Sequence, residues 1–188
     1  MLEAALLHAE SPRLVIRPIQ PADLPDLMAV NGDPEVVRHL PYAVWSGLPD
    51  AEAWLARMQA MEAADQARQL VLVERDGGAV IGTLLLFRFE PASQRAEVGY
   101  ALARRCWGQG VMREALALLC ARLFDAGAVR RFEAEVNPDN AASRALLLSL
   151  GFAHEGRRRQ RWVAKGAVYD VDCYGLLRGE LQPERRGV

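Results

Sequence analysis

The spacing of apolar residues changes period twice along this chain. Leu14-Val-Ile-Arg17 is a short branched run that predicts a strand, closed by Pro18, which has no N–H for a ladder. The turn residues Gln20-Pro-Ala-Asp23 start a helix that runs to about Val30. Asp33-Pro34 sets a capping carboxylate before a proline at the first helical position, a second helix start. A third lies near Leu48-Pro-Asp50, after which Trp54, Leu55, Met58 and Met61 recur at helical spacing. The period then shortens. Gln69–Glu74 predicts a strand, Asp76-Gly77-Gly78 a hairpin turn, Val80–Phe89 a longer strand, Pro91-Ala-Ser93 a turn, and Ala96–Leu102 a third strand. Helical spacing returns from about Val111 to Ala126 and stops at Gly127. Arg131–Val136 is again strand-like, Asn140–Leu150 a helix closed by a left-handed glycine at Gly151, and Ala153–Val163 and Val168–Leu176 two final strands.

Hairpins first, then strands alternating with helices, predict an α/β fold on a mixed sheet. The sheet is antiparallel at its start, with a parallel crossover around the glycines that follow Leu102. The 188 residues suit one domain, taken as residues 11–177, with a leader of uncertain order over 1–10 and a polar tail over 178–188. There is no internal repeat and no low-complexity tract.

Composition narrows the class. Half the residues are hydrophobic (51%) and a quarter charged (25%), as in a globular protein. A net charge of −1 supplies no whole-protein field toward nucleic acid or an anionic membrane. The three cysteines, Cys106, Cys120 and Cys173, fit neither a disulfide framework nor a zinc site and read as reduced thiols of a cytoplasmic protein. His39 and His154 have no partners at metal-ligand spacing, so no metal is expected. The start of the chain lacks a signal-peptide pattern, and no apolar run approaches the ~20 residues that span a bilayer.

The most informative stretch is Arg105-Cys-Trp-Gly-Gln-Gly-Val-Met-Arg-Glu-Ala115, which sets Gly108 and Gly110 between a strand and a long helix. A helix's first N–H groups have no internal acceptor and its dipole favours negative charge there, so a phosphate or pyrophosphate is the natural guest. Glycines permit close backbone approach and left-handed φ values. Neither Gly-x-Gly-x-x-Gly nor Gly-Lys-Ser/Thr is present, and the turn follows a late strand rather than the first. The Rossmann and P-loop readings are therefore poor.

Arg13-Leu-Val-Ile-Arg-Pro18, Asp33-Pro-Glu-Val-Val37, Ile81-Gly82, Glu97-Val-Gly-Tyr100, Trp107-Gly-Gln-Gly110 with Glu114-Ala115, Asn137, Asn140-Ala-Ala-Ser143 and Leu150-Gly-Phe152 follow one another in a familiar order. In that order they resemble the GNAT superfamily of acyl-CoA-dependent N-acyltransferases, and within it the RimJ- and RimL-like branch of ribosomal-protein alanine N-acetyltransferases. The resemblance runs from about Arg13 to Leu177. It implies a central twisted mixed sheet of about six to seven strands and about four helices, with splayed parallel strands where the cofactor binds. It implies acetyl-CoA as cosubstrate, its pyrophosphate on the turn Trp107, Gly108, Gln109, Gly110, Val111 and Met112. The pantetheine arm would add to the strand end at Tyr100, Ala101 and Leu102, with Asn137, Asn140 and Ser143 as further contacts. The family's Gln/Arg-x-x-Gly-x-Gly/Ala motif fits two frames. One is literal, from Arg105; the preferred one keeps the helix start, places Trp107 first, and leaves Met112 in a small-residue slot with its side chain turned from the phosphates.

Glu97 is the candidate general base, directly or through water; the alternative is a solvated strand carboxylate. Ser143 is the candidate proton donor, or hydrogen-bond donor to the sulfur; the alternative is a serine that satisfies backbone groups in a helix's first turn. The tyrosine many relatives carry one turn later is here Leu147. Asn140 suits both a cofactor contact and the helix N-cap. Tyr42 and Trp45 lie where relatives line the acceptor site and either contact substrate or pack. Arg104, Arg105 and Arg113 are equal candidates for the CoA 3′-phosphate.

The reading is an N-acetyltransferase working by direct transfer in a ternary complex. The acceptor is a primary amine, either a protein N-terminus or a small molecule, and the C-terminal strands offer a surface for a homodimer. One rival is a non-catalytic acyl-CoA-binding module. Another is RNA association through the basic run Gly156-Arg-Arg-Arg-Gln-Arg-Trp162, although strand alternation would split those charges between two faces.

Overall fold

The hairpin signals in the middle of the chain become the centre of one eight-stranded sheet. The computed structural model describes residues 4–182. The strands are β1 (Ala9–Glu10), β2 (Leu14–Pro18), β3 (Ala67–Glu74), β4 (Val80–Glu90), β5 (Arg95–Leu102), β6 (Arg131–Val136), β7 (Ala153–Ala164) and β8 (Ala167–Leu177). Their order is β1-β2-β3-β4-β5-β6-β8-β7. Every neighbouring pair is antiparallel except β5 and β6. The helices are α1 (Leu24–Asn31), α2 (Pro34–Val37), α3 (Leu48–Ala63), α4 (Val111–Asp125) and α5 (Ala141–Ser149). As expected of Asp33-Pro34, the Asp33 carboxylate caps α2 by accepting from Glu35 N at 3.0 Å.

Alternation along the strands fills two cores. Leu70 and Leu72 face α4 with Ile16, Ile81, Leu84 and Phe132, while Val71 and Val80 face α1 and α3 with Trp54, Leu55 and Met58. The helices therefore cover both sides of the sheet, and the strands in the middle are apolar on both faces.

Two terminal segments are better packed than their composition suggests. In the leader, Leu7 and Ala9 are buried at 2% and 5% exposure. Ala9 pairs with Ile16 to make β1, the strand beyond the expected six to seven. Arg122 on α4 donates to the carbonyls of Ala5 (2.7 Å) and Leu6 (3.2 Å), which anchors the segment. In the tail, Gln182 N donates to Leu150 O at 2.9 Å. Gly151 (φ +97°) approaches so closely that a Cβ would lie 2.0 Å from the Glu180 carbonyl. The rest of the tail, residues 183–188, lies outside the described residues.

The feature that positions the site is the junction of β5 and β6. They pair only from Arg95–Glu97 to Arg131–Glu133, yet β5 continues to Leu102 and β6 to Val136. Past Glu97 the two strands part, and a cleft opens between them. No described helix is long and apolar enough to cross a membrane.

Candidate active site

At the end of β5 the chain turns through residues 103–110 into α4. Gly108 and Gly110 both take left-handed φ values, +72° and +76°, which strain any residue with a side chain. Gly110 is the N-cap of α4, and no side chain caps the helix there. Nothing lies within 4 Å of where a Cβ would stand on either glycine. The turn thus faces open space with a bare helix N-terminus, a geometry that fits an anion. It borders a cavity of about 590 Å³ lined also by Ser11, Arg13, Gln109, Arg113 and Glu114.

The side chains around the turn brace it. Trp107, 45% exposed, donates its indole N–H to the Leu102 carbonyl at 2.8 Å and ties the turn to the end of β5. Gln109 donates to Arg105 O at 2.7 Å. Val111 and Met112 are buried at 7% and 6% exposure within the core. The Met112 side chain therefore lies in the core, and Met112 does not line the cavity. The three arginines offered for a 3′-phosphate all have protein partners. Arg104 pairs with Asp33 at 2.9 Å, Arg105 with both oxygens of Glu74 at 3.0 and 2.9 Å, and Arg113 donates to Gln182 O at 2.7 Å. Arg13, not among those three, lines the cavity and pairs with Glu114 at 2.9 Å.

The cleft between β5 and β6 encloses about 340 Å³. Glu97, Tyr100 and Ala101 line it from β5, Glu135 and Asn137 from β6 and its end, Asn140 and Ser143 from α5 and its cap, with Tyr42 and Trp162 from neighbouring segments. Glu97 is 6% exposed and accepts from Arg88 Nη1 at 2.6 Å through Oε2. Burial raises the Glu97 carboxyl above the ordinary carboxylate value, the Arg88 charge opposes this, and the nearby carboxylates of Glu135 and Glu133 add to it. Arg88 occupies a β-bulge in β4, at φ +51°, and also lies 3.7 Å from Glu135. A second irregularity, between Arg158 and Trp162 in β7, brings Arg161 and Trp162 onto Glu135 at 3.1 and 2.9 Å. Glu135 is itself drawn below its ordinary value by these donors, against the opposing effect of burial.

Asn140 is the N-cap of α5, its Oδ1 accepting from Ser143 N at 3.1 Å. Asn137 Oδ1 accepts from Asp139 N at 2.9 Å. The Ser143 hydroxyl lies 2.6 Å from that of Tyr100. Leu147 is wholly buried at 0% exposure. Tyr42 donates to Asn31 Oδ1 at 2.9 Å and lines the cleft. Trp45 does not line it, and of the two roles open to it from sequence the structure shows packing. It is 6% exposed and packs on Trp54, ring centroids 5.3 Å apart, because the apolar face of α3 needs cover. Leu102, expected beside Tyr100 and Ala101, does not line the cleft, and its carbonyl accepts from Trp107.

Sequence reasoning missed Arg88, Glu135 and Trp162. Glu135 was within reach of it: Phe132, Ala134 and Val136 are buried, so alternation puts Glu133 and Glu135 on the opposite face, and the register sets Glu133 beside Glu97. Arg88 and Trp162 depend on bulges, for which the sequence carries no turn signal.

Residues 13–153 match the family model described as an acetyltransferase (GNAT) domain, three quarters of the chain. The chain belongs to the GNAT acetyltransferase family. Among relatives, it is 32% identical over 168 residues to the uncharacterized N-acetyltransferase p20 of Bacillus licheniformis, covering 89% of this chain and 94% of that one. It is 32% identical over 111 residues to the ribosomal-protein-serine acetyltransferase of Escherichia coli K12, covering 59% of this chain and 61% of that one. The GNAT fold is matched by a GCN5-related N-acetyltransferase from Brucella melitensis, with TM-score 0.84 at 24% identity over 92% of this chain and 79% of that one. It is matched also by RimL, a ribosomal L7/L12 alpha-N-protein acetyltransferase, with TM-score 0.81 at 22% identity over 90% and 93%. The mixed sheet with one parted parallel pair is the GNAT architecture expected from the sequence.

Proposed function

We propose that this GNAT protein transfers the acetyl group of acetyl-CoA directly to a primary amine, with a protein or peptide N-terminus as the acceptor. The observation that carries the reading is the parting of β5 and β6, which puts Glu97 and Ser143 in one cleft whose β5 wall leads straight into the glycine turn. The pyrophosphate sits on the backbone of Gly108–Met112, and the pantetheine arm adds its amides along Tyr100 and Ala101, where β5 has no β6 partner. Glu97 draws the proton from the amine, through water, and Ser143 donates to the departing sulfur. Asn137 and Asn140 line the path of the arm, and Tyr42 and Trp162 wall the acceptor side.

Direct transfer is favoured because no cysteine lines the cleft. Burial also pushes the thiols of Cys106, Cys120 and Cys173 upward, which makes them poor nucleophiles. A protein acceptor is favoured by the E. coli relative, named a ribosomal-protein-serine acetyltransferase, and its N-terminus by RimL, named an alpha-N-protein acetyltransferase. The basic run on β7 speaks less for RNA, since Arg157 pairs with Asp172 and Arg158 and Arg161 pair with Glu135.

The test is thiol release from acetyl-CoA in the presence of three acceptor sets: peptides with a free α-amine, the same peptides blocked at the N-terminus, and small amines. Turnover with the free peptides alone is expected. Turnover confined to small amines overturns the acceptor class, and CoA binding without turnover on any amine makes the protein a binding module.

A further inference from the structure

Tyr100 on β5 and Ser143 on α5 stand on opposite walls of the cleft, and their hydroxyls lie 2.6 Å apart. One of the two must donate. Desolvation pushes the Tyr100 hydroxyl far above its ordinary value, with the Ser143 hydrogen bond opposing more weakly, so the phenol keeps its proton. A serine hydroxyl has one proton and two lone pairs. If Ser143 spends its proton on Tyr100, none is left for a substrate. If Tyr100 donates, the Ser143 proton is free for a third partner in the cleft. The Ser143 backbone N–H is held on Asn140 Oδ1 at 3.1 Å, which caps the first turn of α5. One turn further on, α5 offers no phenol of its own, since Leu147 is a buried core residue.

We infer that Tyr100 is a positioning residue for acetyl transfer: by donating to Ser143 Oγ, it turns the Ser143 proton toward the sulfur of the departing thiol. The inference rests on the acetyl-transfer reading above and extends it to a residue with no expected part in the chemistry. As the tetrahedral adduct collapses, the C–S bond breaks and its electron pair goes to sulfur. Ser143 gives that thiolate a charge-assisted hydrogen bond, strengthened because Ser143 is itself an acceptor from Tyr100. A thiol ionises at about 8.5, so the sulfur can leave as thiolate and take its proton from water. Neither Ser143 nor Tyr100 changes its protonation state, which removes the difficulty that serine is a poor acid. The surplus proton of the amine departs by way of Glu97.

Five variants of the full chain test this with acetyl-CoA and an accepted amine: Tyr100→Phe, Ser143→Ala, the double variant, and Ser143→Thr with and without Tyr100→Phe. Thermal midpoints and calorimetric CoA affinity are recorded for each. Tyr100→Phe is expected to lower kcat about tenfold, the worth of one hydrogen bond, with KM for acetyl-CoA and CoA affinity unchanged. Ser143→Ala lowers kcat about a hundredfold, and the double variant is no slower than Ser143→Ala alone, because Tyr100 acts only through Ser143. Ser143→Thr keeps a hydroxyl and stays sensitive to Tyr100→Phe. Multiplied losses in the double variant, or a Tyr100→Phe defect confined to CoA affinity or thermal midpoint, overturn the positioning role and leave the acetyl-transfer reading intact. A wild-type chain that binds CoA but acetylates no amine overturns that reading and this role together.

Discussion

Replacing Gly110 with leucine separates strain in the turn from loss of the ligand. Gly110 sits at φ +76°, and a Cβ there meets nothing within 4 Å, so the first side-chain carbon enters without a clash. What remains is the left-handed conformation, which costs about 1–2 kcal/mol for a residue with a side chain. For a chain of this size that lowers Tm by roughly 2–8 °C. The loss of affinity is larger. In the proposed binding mode the leucine side chain would occupy the space before the helix N-terminus, where the pyrophosphate would take its N–H groups. Two charge-assisted hydrogen bonds lost there are worth about 3–6 kcal/mol, or at least a hundredfold in Kd. Gly77 supplies the control. It lies in the turn between β3 and β4 at φ +85°, again with nothing within 4 Å. Gly77→Leu is expected to lower Tm as much as Gly110→Leu and to leave CoA affinity alone. The assay is calorimetric titration with CoA beside thermal melts of both variants. An affinity within about threefold of wild type in folded Gly110→Leu, or an equal loss in Gly77→Leu, removes the pyrophosphate from this turn.

Arg88→Ala tests the base. Burial already lifts the Glu97 carboxyl and Arg88 holds it back, so removing Arg88 moves it further up. Glu97 accepts a proton only when ionised, so the acid limb of kcat/KM should shift to higher pH; a limb that stays in place rules out Glu97 as the base. Met112→Ala tests the reading frame of the turn. Met112 is 6% exposed in the core, so the variant should lose about 2–5 kcal/mol of stability, read by denaturant unfolding, while CoA affinity holds. A drop in affinity matching that of Gly110→Leu would place the Met112 side chain in the cradle instead.

The order of strands and helices was legible because each boundary carries its own chemistry. Pro18 ends β2, Asp33-Pro34 starts α2, Gly127 and Gly151 end α4 and α5, and Gly77-Gly78 turns β3 into β4. β1 was not legible, because a two-residue strand has no period; Arg122 and the pairing of Ala9 with Ile16 place it. The insertion of β8 between β6 and β7 is likewise a tertiary choice that hairpin spacing leaves open. At the site, Glu97, Tyr100, Asn137, Asn140 and Ser143 do meet in one cleft, since all lie where β5 and β6 end or where α5 begins. Trp45 went to the core because aromatic character alone does not distinguish a substrate contact from a partner for Trp54. Arg88 escaped notice because a bulge, and not its place in the alternation, aims it at Glu97.

A crystal structure with acetyl-CoA bound reads the proposed reaction geometry most directly. The pyrophosphate should rest on the N–H groups of Gly108–Met112, with the pantetheine arm against Tyr100 and Ala101. The thioester sulfur should lie within hydrogen-bond reach of Ser143 Oγ, with Glu97 facing the acyl carbon from the acceptor side. Acetyl-CoA seated elsewhere, or a thioester out of reach of both Ser143 and Glu97, would contradict the assignment of the β5–β6 cleft as the place where acetyl group and amine meet.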